Sequence, residues 1–376
     1  MRPEAISAPS PVTLTVLIVS IVAVAVLVSF TAVLEPSPRS LRTKRLSMLV
    51  DLRVVRLCGG ASALLVLLTL LGLEIGEYPI PRFQAISTAF WDRAGEYSFV
   101  VNSLRFPRVV TAVLAGFCLA SSGALFQTLL NNPLVSPDVI GINTGAALCA
   151  VFVLAIGADV GLLPWAAFAG AVVTAGTIYL LAWKKGITGN RLVLIGIGIN
   201  ALLASGITYL MVKFPIEQVL AAARWQAGSL FGASWSDAWT LAVAIACLTP
   251  PAWILVRRLR LIQLGDDMAS SLGLRVERER TAIILVASGY AAVAVAVIGP
   301  LGFVALLVPH IVRLVAGPLT GGTLVLTGVV GALFLLACDL IAQQLFAPTT
   351  LPVGVITAAL GGPYFLFILV RYNRAP

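Results

Sequence analysis

Between residues 257 and 280 the chain reads RRLRLIQLGDDMASSLGLRVERER, and ten of these 24 residues are Asp, Glu or Arg. The uncharged stretches 238–256 and 281–298 lie on either side. A charged side chain at the centre of a bilayer costs roughly 2.5 to 3.5 kcal/mol even on the mildest scale. The island therefore lies in water, and the two stretches beside it are spans that end at it. Within the island, LGDDMASSLGL predicts a short helix. Asp266 and Asp267 fall where an N-cap and first turn take negative charge, and Gly273 falls where a C-terminal stop is wanted. Leu264, Met268 and Leu272 recur at every fourth position, which puts them on one helix face with no lipid to cover it. Two coverings are open: the chain's own bundle, or a partner protein.

The rest of the chain repeats this alternation. Hydrophobic residues make up 59% of 376 and charged residues 11%, with a mean hydropathy of +1.01. A soluble chain carries about 25% charge, so this is an all-α polytopic membrane protein. The five cysteines, Cys58, Cys118, Cys149, Cys247 and Cys338, sit in apolar runs without metal-ligand spacing and read as small core residues. One histidine and the lack of C-x-x-C or H-E-x-x-H leave no ligand set for iron, zinc or haem. Any metal the chain handles arrives already chelated, and no cofactor is expected on it. The net charge of +9 resides in short loops between apolar runs, which speaks for topology and against nucleic acid.

Residues 12–34 are uncharged over 23 positions, long enough to span a bilayer. Arg2 precedes them and Arg39, Arg42, Lys44, Arg45, Arg53 and Arg56 follow, the flank of a span with its N-terminus outside rather than of a cleaved leader. The chain thus divides into an extension over 1–47, with this extra span and a basic linker, and a multi-span membrane body over 48–376. The competing reading starts the working chain near Met48.

Ten core spans are expected, near 57–75, 109–130, 140–156, 162–183, 192–213, 237–256 and 281–298, then a short one between Pro300 and Pro309, and 323–341 and 353–370. Residues 214–235 are too polar to span and read as a surface helix plus loop. In the second span Ala112, Gly116, Ala120 and Ala124 form a small-residue stripe of the kind that lets helices approach closely in lipid. After it, Pro133 and Pro137 break the backbone between two spans. Asn131, Asn132 and Asn143 can satisfy the freed groups. Ten spans with both ends inside leave 18 Lys and Arg in inner segments and six in outer ones, leaving Arg2 aside. That bias supports the count.

His310, Arg313 and Asp339 are the ionisable residues near membrane depth. The first two are expected to pair with backbone carbonyls, and Asp339 to cap or hydrogen-bond beside Gln343 and Gln344. With at most one intramembrane carboxylate, the chain does not look like a proton-coupled carrier. No Walker motif, nucleophile triad or paired-carboxylate set occurs, so the chain is read as no enzyme and its energy source as another polypeptide.

Six blocks occur in order from about Arg53 to Arg371: LRFPR at 104–108, SSGALFQTLLNNPLVSPDVIGINTGA at 121–146, WQAGSLFG at 225–232, LGDDMASSLGL at 264–274, GPLGFVALLVPHIVR at 299–313 and LPVGVITAALGGPYF at 351–365. Together they resemble the iron-siderophore and vitamin B12 permease family of ATP-binding cassette importers. SPDVIGINTGA, LVRRLRLIQLGDD and AQQLFAPTTLPVG resemble its ferric-enterobactin permease subunits, the type that pairs with a paralogous permease. The resemblance implies a cytoplasmic-membrane importer of a ferric siderophore, of catecholate type, with hydroxamate or mixed siderophores, haem or cobalamin as alternatives. Its implied partners are a second permease subunit, two cytosolic ATPase subunits that carry ATP and Mg, and an extracytoplasmic siderophore-binding protein.

The same resemblance assigns residues. Gly265, Asp266, Asp267, Met268, Ala269, Leu272 and Gly273 match the helix that docks into the ATPase. Arg105 and Arg108 match outward arginines that pair with glutamates of the binding protein; the position of a third is Gln343 here. Asn132 and Leu134 match one cytosolic gate and Gly189 with Asn190 the other, where a frequent hydroxyl pair is missing. Asn200, a lone polar residue on an apolar span, joins them as a pathway residue.

Overall fold

A computed structural model describes residues 38–43, 46–76, 78–81, 83–91, 95–183, 189–347 and 349–372. The span expected at 12–34 lies outside the described residues, as does most of the basic turn after residue 183. The described chain opens with an antiparallel hairpin, β1 Pro38–Thr43 and β2 Leu46–Asp51, paired from Pro38 opposite Asp51 to Thr43 opposite Leu46. No Asn-Gly or Asp-Gly dipeptide marks this turn, so the linker gave no hairpin signal.

From there the chain is helical. Asp51 caps α1, Leu52–Glu74, by accepting from the Arg53 amide at 2.9 Å. A short α2, Gln84–Phe90, precedes a π-helical turn, Phe99–Arg105, which runs into α3, Phe106–Leu129, with Pro107 in its first turn. Next come α4 Ile142–Ala155, α5 Leu163–Ala182, α6 Gly189–Lys213 and the surface helix α7 Ile216–Gln226. A Ser234–Asp237 capping box starts α8, Trp235–Ile262, and the island holds α9, Asp266–Ser271. The last four are α10 Val276–Ile298, α11 Val304–Ala316, α12 Gly321–Gln344 and α13 Val353–Tyr372.

Seven of these segments are long and apolar enough to cross a membrane, and three shorter apolar helices lie at Ile142–Ala155, Val304–Ala316 and Val353–Ile368. Together they match the ten expected spans. The eighth differs in its limits: Pro309 lies inside α11 instead of at its end. A proline inside an apolar helix is tolerated where its neighbours satisfy the freed groups. The carbonyl that Pro309 leaves without its amide is that of Ala305; Gln127 of α3 donates to it at 3.4 Å and to the adjacent Leu306 carbonyl at 2.9 Å.

Three helices form the core. Of their most apolar stretches, 78% in α3, 67% in α10 and 72% in α12 is buried, against 17% in α6 and 22% in each of α1 and α8. The small-residue stripe makes this possible. A Cβ on Gly116 would stand 2.4 Å from the Gly331 carbonyl of α12, and one on Gly123 would stand 1.8 Å from the Ala305 carbonyl of α11. Backbones that close admit no side chain, and dispersion between them replaces the hydrophobic driving force that lipid removes. Some of the polar side chains in the core bond internally, as Ser122 Oγ does to the Ala287 carbonyl at 2.6 Å, while the hydroxyls of Thr111, Ser121 and Ser288 are buried without a partner.

Candidate functional site: the two ends of a membrane bundle

At the outer end, the π-helical turn and the start of α3 set Arg105 and Arg108 three residues apart. Arg105 is buried and donates to the carbonyls of Leu73 at 3.0 Å, Glu74 at 3.2 Å and Tyr78 at 2.5 Å. Leu73 and Glu74 end α1, where carbonyls lack a helical partner, and the guanidinium closes them together with the Tyr78 carbonyl beyond the helix. Gly76 lets the chain pass over it, since a Cβ there would stand 2.6 Å from Arg105 Nε. Arg108 forks onto Asp339 of α12, with Nε 3.0 Å from Oδ2 and Nη2 2.8 Å from Oδ1. Asp339 is fully buried, and Gln343 donates to its Oδ2 at 2.8 Å. The carboxylate thus does more than cap beside Gln343: it is the counter-ion of Arg108. Both expected docking arginines have donors engaged within the chain in this conformation.

On α11, Arg313 Nη2 stands 3.3 Å from His310 Nδ1, and the His310 ring meets the edge of Tyr364 at 6.2 Å between centroids. The contact recorded for this pair is with each other, in place of the expected backbone carbonyls, because i and i+3 neighbours on a helix face meet directly.

At the inner end, α3 stops at Leu129 and the segment 130–141 begins. Asn132 Oδ1 accepts from the Leu134 amide at 2.9 Å and its own amide donates to the Gln127 carbonyl at 3.0 Å, so the chain turns without losing its polar groups to lipid. Gly189, the first residue of α6, packs so closely that a Cβ there would stand 3.1 Å from Leu130 Cδ2. Asn190 beside it is exposed. Gln263, just past α8, reaches Asn131 Oδ1 at 3.4 Å. The structure therefore brings the two expected gate segments together, next to the turn that leads into α9.

That turn needs glycine. Gly265 has φ +103° and Gly273 φ +85°, conformations that a side chain would strain, and they bracket the six residues of α9. Ala269 is fully buried against the bundle, and Asp266 accepts from Arg280 at 2.7 and 3.0 Å. Asp267 is exposed. Of the three residues expected on one helix face only Met268 lies within α9, because the turn at Gly265 leaves Leu264 before the helix and Leu272 closes it; Met268, Leu264 and Leu272 are 56%, 62% and 57% exposed. The bundle covers Ala269 and leaves the apolar stripe bare.

One group escaped the sequence reading. Asp138 lies in the 3-10 turn Pro137–Ile140; its carboxylate accepts from Asn143 Nδ2 and from Ser136 Oγ at 3.4 Å, and its carbonyl accepts from Asn200 Nδ2 at 2.9 Å. Asn200 is eleven residues into α6, which at 1.5 Å per residue is about 16 Å from its inner end. A second carboxylate thus sits at membrane depth, correcting the limit of one. Its signal was an acid flanked by Ser-Pro and followed by apolar residues. Among the described residues, no group of three or more His, Cys, Asp or Glu converges as a metal site would require.

Comparison with known proteins agrees with this architecture. The FecCD transport family matches residues 64–371. The ferric enterobactin transport system permease protein FepG of Escherichia coli (strain K12) is 43% identical over 304 residues, covering 81% of this chain and 92% of that one. The achromobactin transport system permease protein CbrC of Dickeya dadantii (strain 3937) is 35% identical over 336 residues, covering 89% and 96%. A solved structure described as an inward-facing metal-chelate type ABC transporter superposes with a TM-score of 0.76 at 26% identity, covering 84% of this chain and 99% of that one.

Proposed function

The chain belongs to the FecCD transport family, and from that premise we propose that it is the permease subunit through which a ferric siderophore, of catecholate type, crosses the cytoplasmic membrane. The observation that carries the reading is the bare apolar set Leu264, Met268 and Leu272, on and beside a short helix that the charged island keeps out of the bilayer. An apolar face in water, held rigid from behind by Ala269 and Arg280, is a docking element for a cytosolic subunit. That subunit is an ATPase, which carries the ATP and Mg. Its closure pushes on Gly265–Gly273, and the adjoining turn passes the displacement to Asn132, Leu134, Gly189 and Asn190. Two such ATPases, a paralogous permease and an outer siderophore-binding protein complete the importer.

Arg105 and Arg108 take part in docking the binding protein only if it competes for donors that Asp339 and the α1 carbonyls now hold. The chelate meets few charges in the bundle, so selection rests with the binding protein and the pathway releases its cargo readily.

Uptake of radiolabelled iron, offered as several chelates to cells with and without this chain, tests the proposal. Loss confined to the catecholate chelate supports it. Loss confined to haem, or to labelled cobalamin offered in parallel, moves the chain to another substrate of the same machinery. Unchanged uptake of every chelate, with paralogues deleted, overturns it.

A further inference from the structure

The reading above leaves Asp138 without a role, yet its turn meets α4, α5 and α6. On one side lies a rigid body. Asn143 Nδ2 and Ser136 Oγ hold the Asp138 carboxylate, which closes the turn onto the start of α4. Gly141, at φ +73°, carries the chain into α4 so tightly that a Cβ would stand 2.9 Å from Thr174 Cγ2 and 3.0 Å from Ile178 Cδ1 of α5. Four residues on, α4 and α5 touch backbone to backbone: a Cβ on Gly170 would stand 2.3 Å from the Gly145 carbonyl, and one on Gly145 would stand 2.6 Å from the Gly170 carbonyl. Turn, α4 and α5 must move as one piece, since cores packed this closely do not deform continuously.

On the other side lies α6, whose span is the least buried of the seven long ones at 17%. Its inner end carries Gly189 and Asn190, while the segment entering the Asp138 turn carries Asn132 and Leu134. The two gate segments touch at Leu130 and Gly189, and deeper in the membrane the Asn200 amide donates to the Asp138 carbonyl at 2.9 Å. At that depth lipid offers neither group another partner.

We propose that Asn200 is a positioning residue for transport: by holding the Asp138 turn it keeps α6 and the α4–α5 body in register, so that both gate segments open together. Asn143 acts through the same turn by fixing the carboxylate. The proposal rests on the permease reading and adds to it the link between the two gates.

The test uses the complete importer, with its ATPase and binding protein, in proteoliposomes, and reads iron chelate moved per ATP hydrolysed. One hydrogen bond is worth about 1 kcal/mol, so Asn200→Leu should lower this ratio about five- to tenfold. Its level in the membrane should match that of the unaltered chain. Asn200→Gln, which keeps a donor, should recover part of the ratio. Asn143→Leu should lower it as well, and the double variant should be no worse than Asn200→Leu alone, because both act on one turn. An unchanged ratio in Asn200→Leu overturns the proposal. So does a lower membrane level at an unchanged ratio, the mark of a merely structural bond. If the unaltered importer moves no chelate on ATP, the permease reading fails first and the link falls with it.

Discussion

The outer and inner ends of this bundle treat their exposed chemistry in opposite ways. Outside, Arg105 spends its donors on the carbonyls of Leu73, Glu74 and Tyr78, and Arg108 forks onto the buried Asp339. Inside, α9 turns Ala269 to the bundle and leaves Leu264, Met268 and Leu272 more than half exposed. A charge already paired requires nothing further; an apolar stripe in water remains unsatisfied until something covers it. The difference teaches which end is incomplete alone: the one that holds α9.

The comparison is broken or sharpened most strongly at α9. Replacing Leu264, Met268 and Leu272 together by Ser should cost about 4 kcal/mol or more of partner affinity, roughly a thousandfold in Kd, from the 1.5 to 3 kcal/mol that each buried aliphatic side chain contributes. Stability of the isolated chain should not change, because these side chains are already in solvent. Titrating the purified ATPase against both forms, with unfolding curves alongside, reads the two effects separately. A loss of stability in place of affinity would mean the stripe serves the chain itself.

Next in size is Arg108→Ala. Removing one partner of a buried ion pair leaves Asp339 uncompensated, and about 3 to 5 kcal/mol of stability should go with it. Denaturant unfolding in detergent measures it. Intact stability with lost capture of the binding protein would make the outer end a docking surface after all and erase the contrast. The smallest effect is expected at Arg280→Ala. Its partner Asp266 is 53% exposed, and such pairs are worth about 0 to 1 kcal/mol. Stability should hardly move. The same variant should weaken ATPase binding only modestly if Ala269 alone seats α9, and a large loss would show that the ion pair sets the angle of the stripe.

Much of this was legible in the sequence because bilayer physics is strict. Ten apolar segments, the basic bias of their inner loops and the stripe from Ala112 to Ala124 each follow from what lipid tolerates, and the helices lie where those rules put them. Even the six-residue α9 was readable, since two acids and a later glycine punctuate it. What was not readable depends on partners distant in the chain. Arg108 and Asp339 are 231 residues apart, and no local pattern joins them. Asp138 sat unnoticed because Asn200, which bonds its carbonyl, is 62 residues on. Pro309 misled through its usual meaning as an end: in a span braced by neighbours it is an interior residue.

The account holds most directly on what drives uptake. Membrane vesicles carrying the full importer, loaded with ATP and given a labelled ferric catecholate with its binding protein, should accumulate the chelate with or without a protonophore and should stop when ATP is withheld. Accumulation that persists without ATP and collapses with the protonophore would contradict it, and would mean that the stripe on α9 has some other covering and that the energy enters through the buried carboxylates instead.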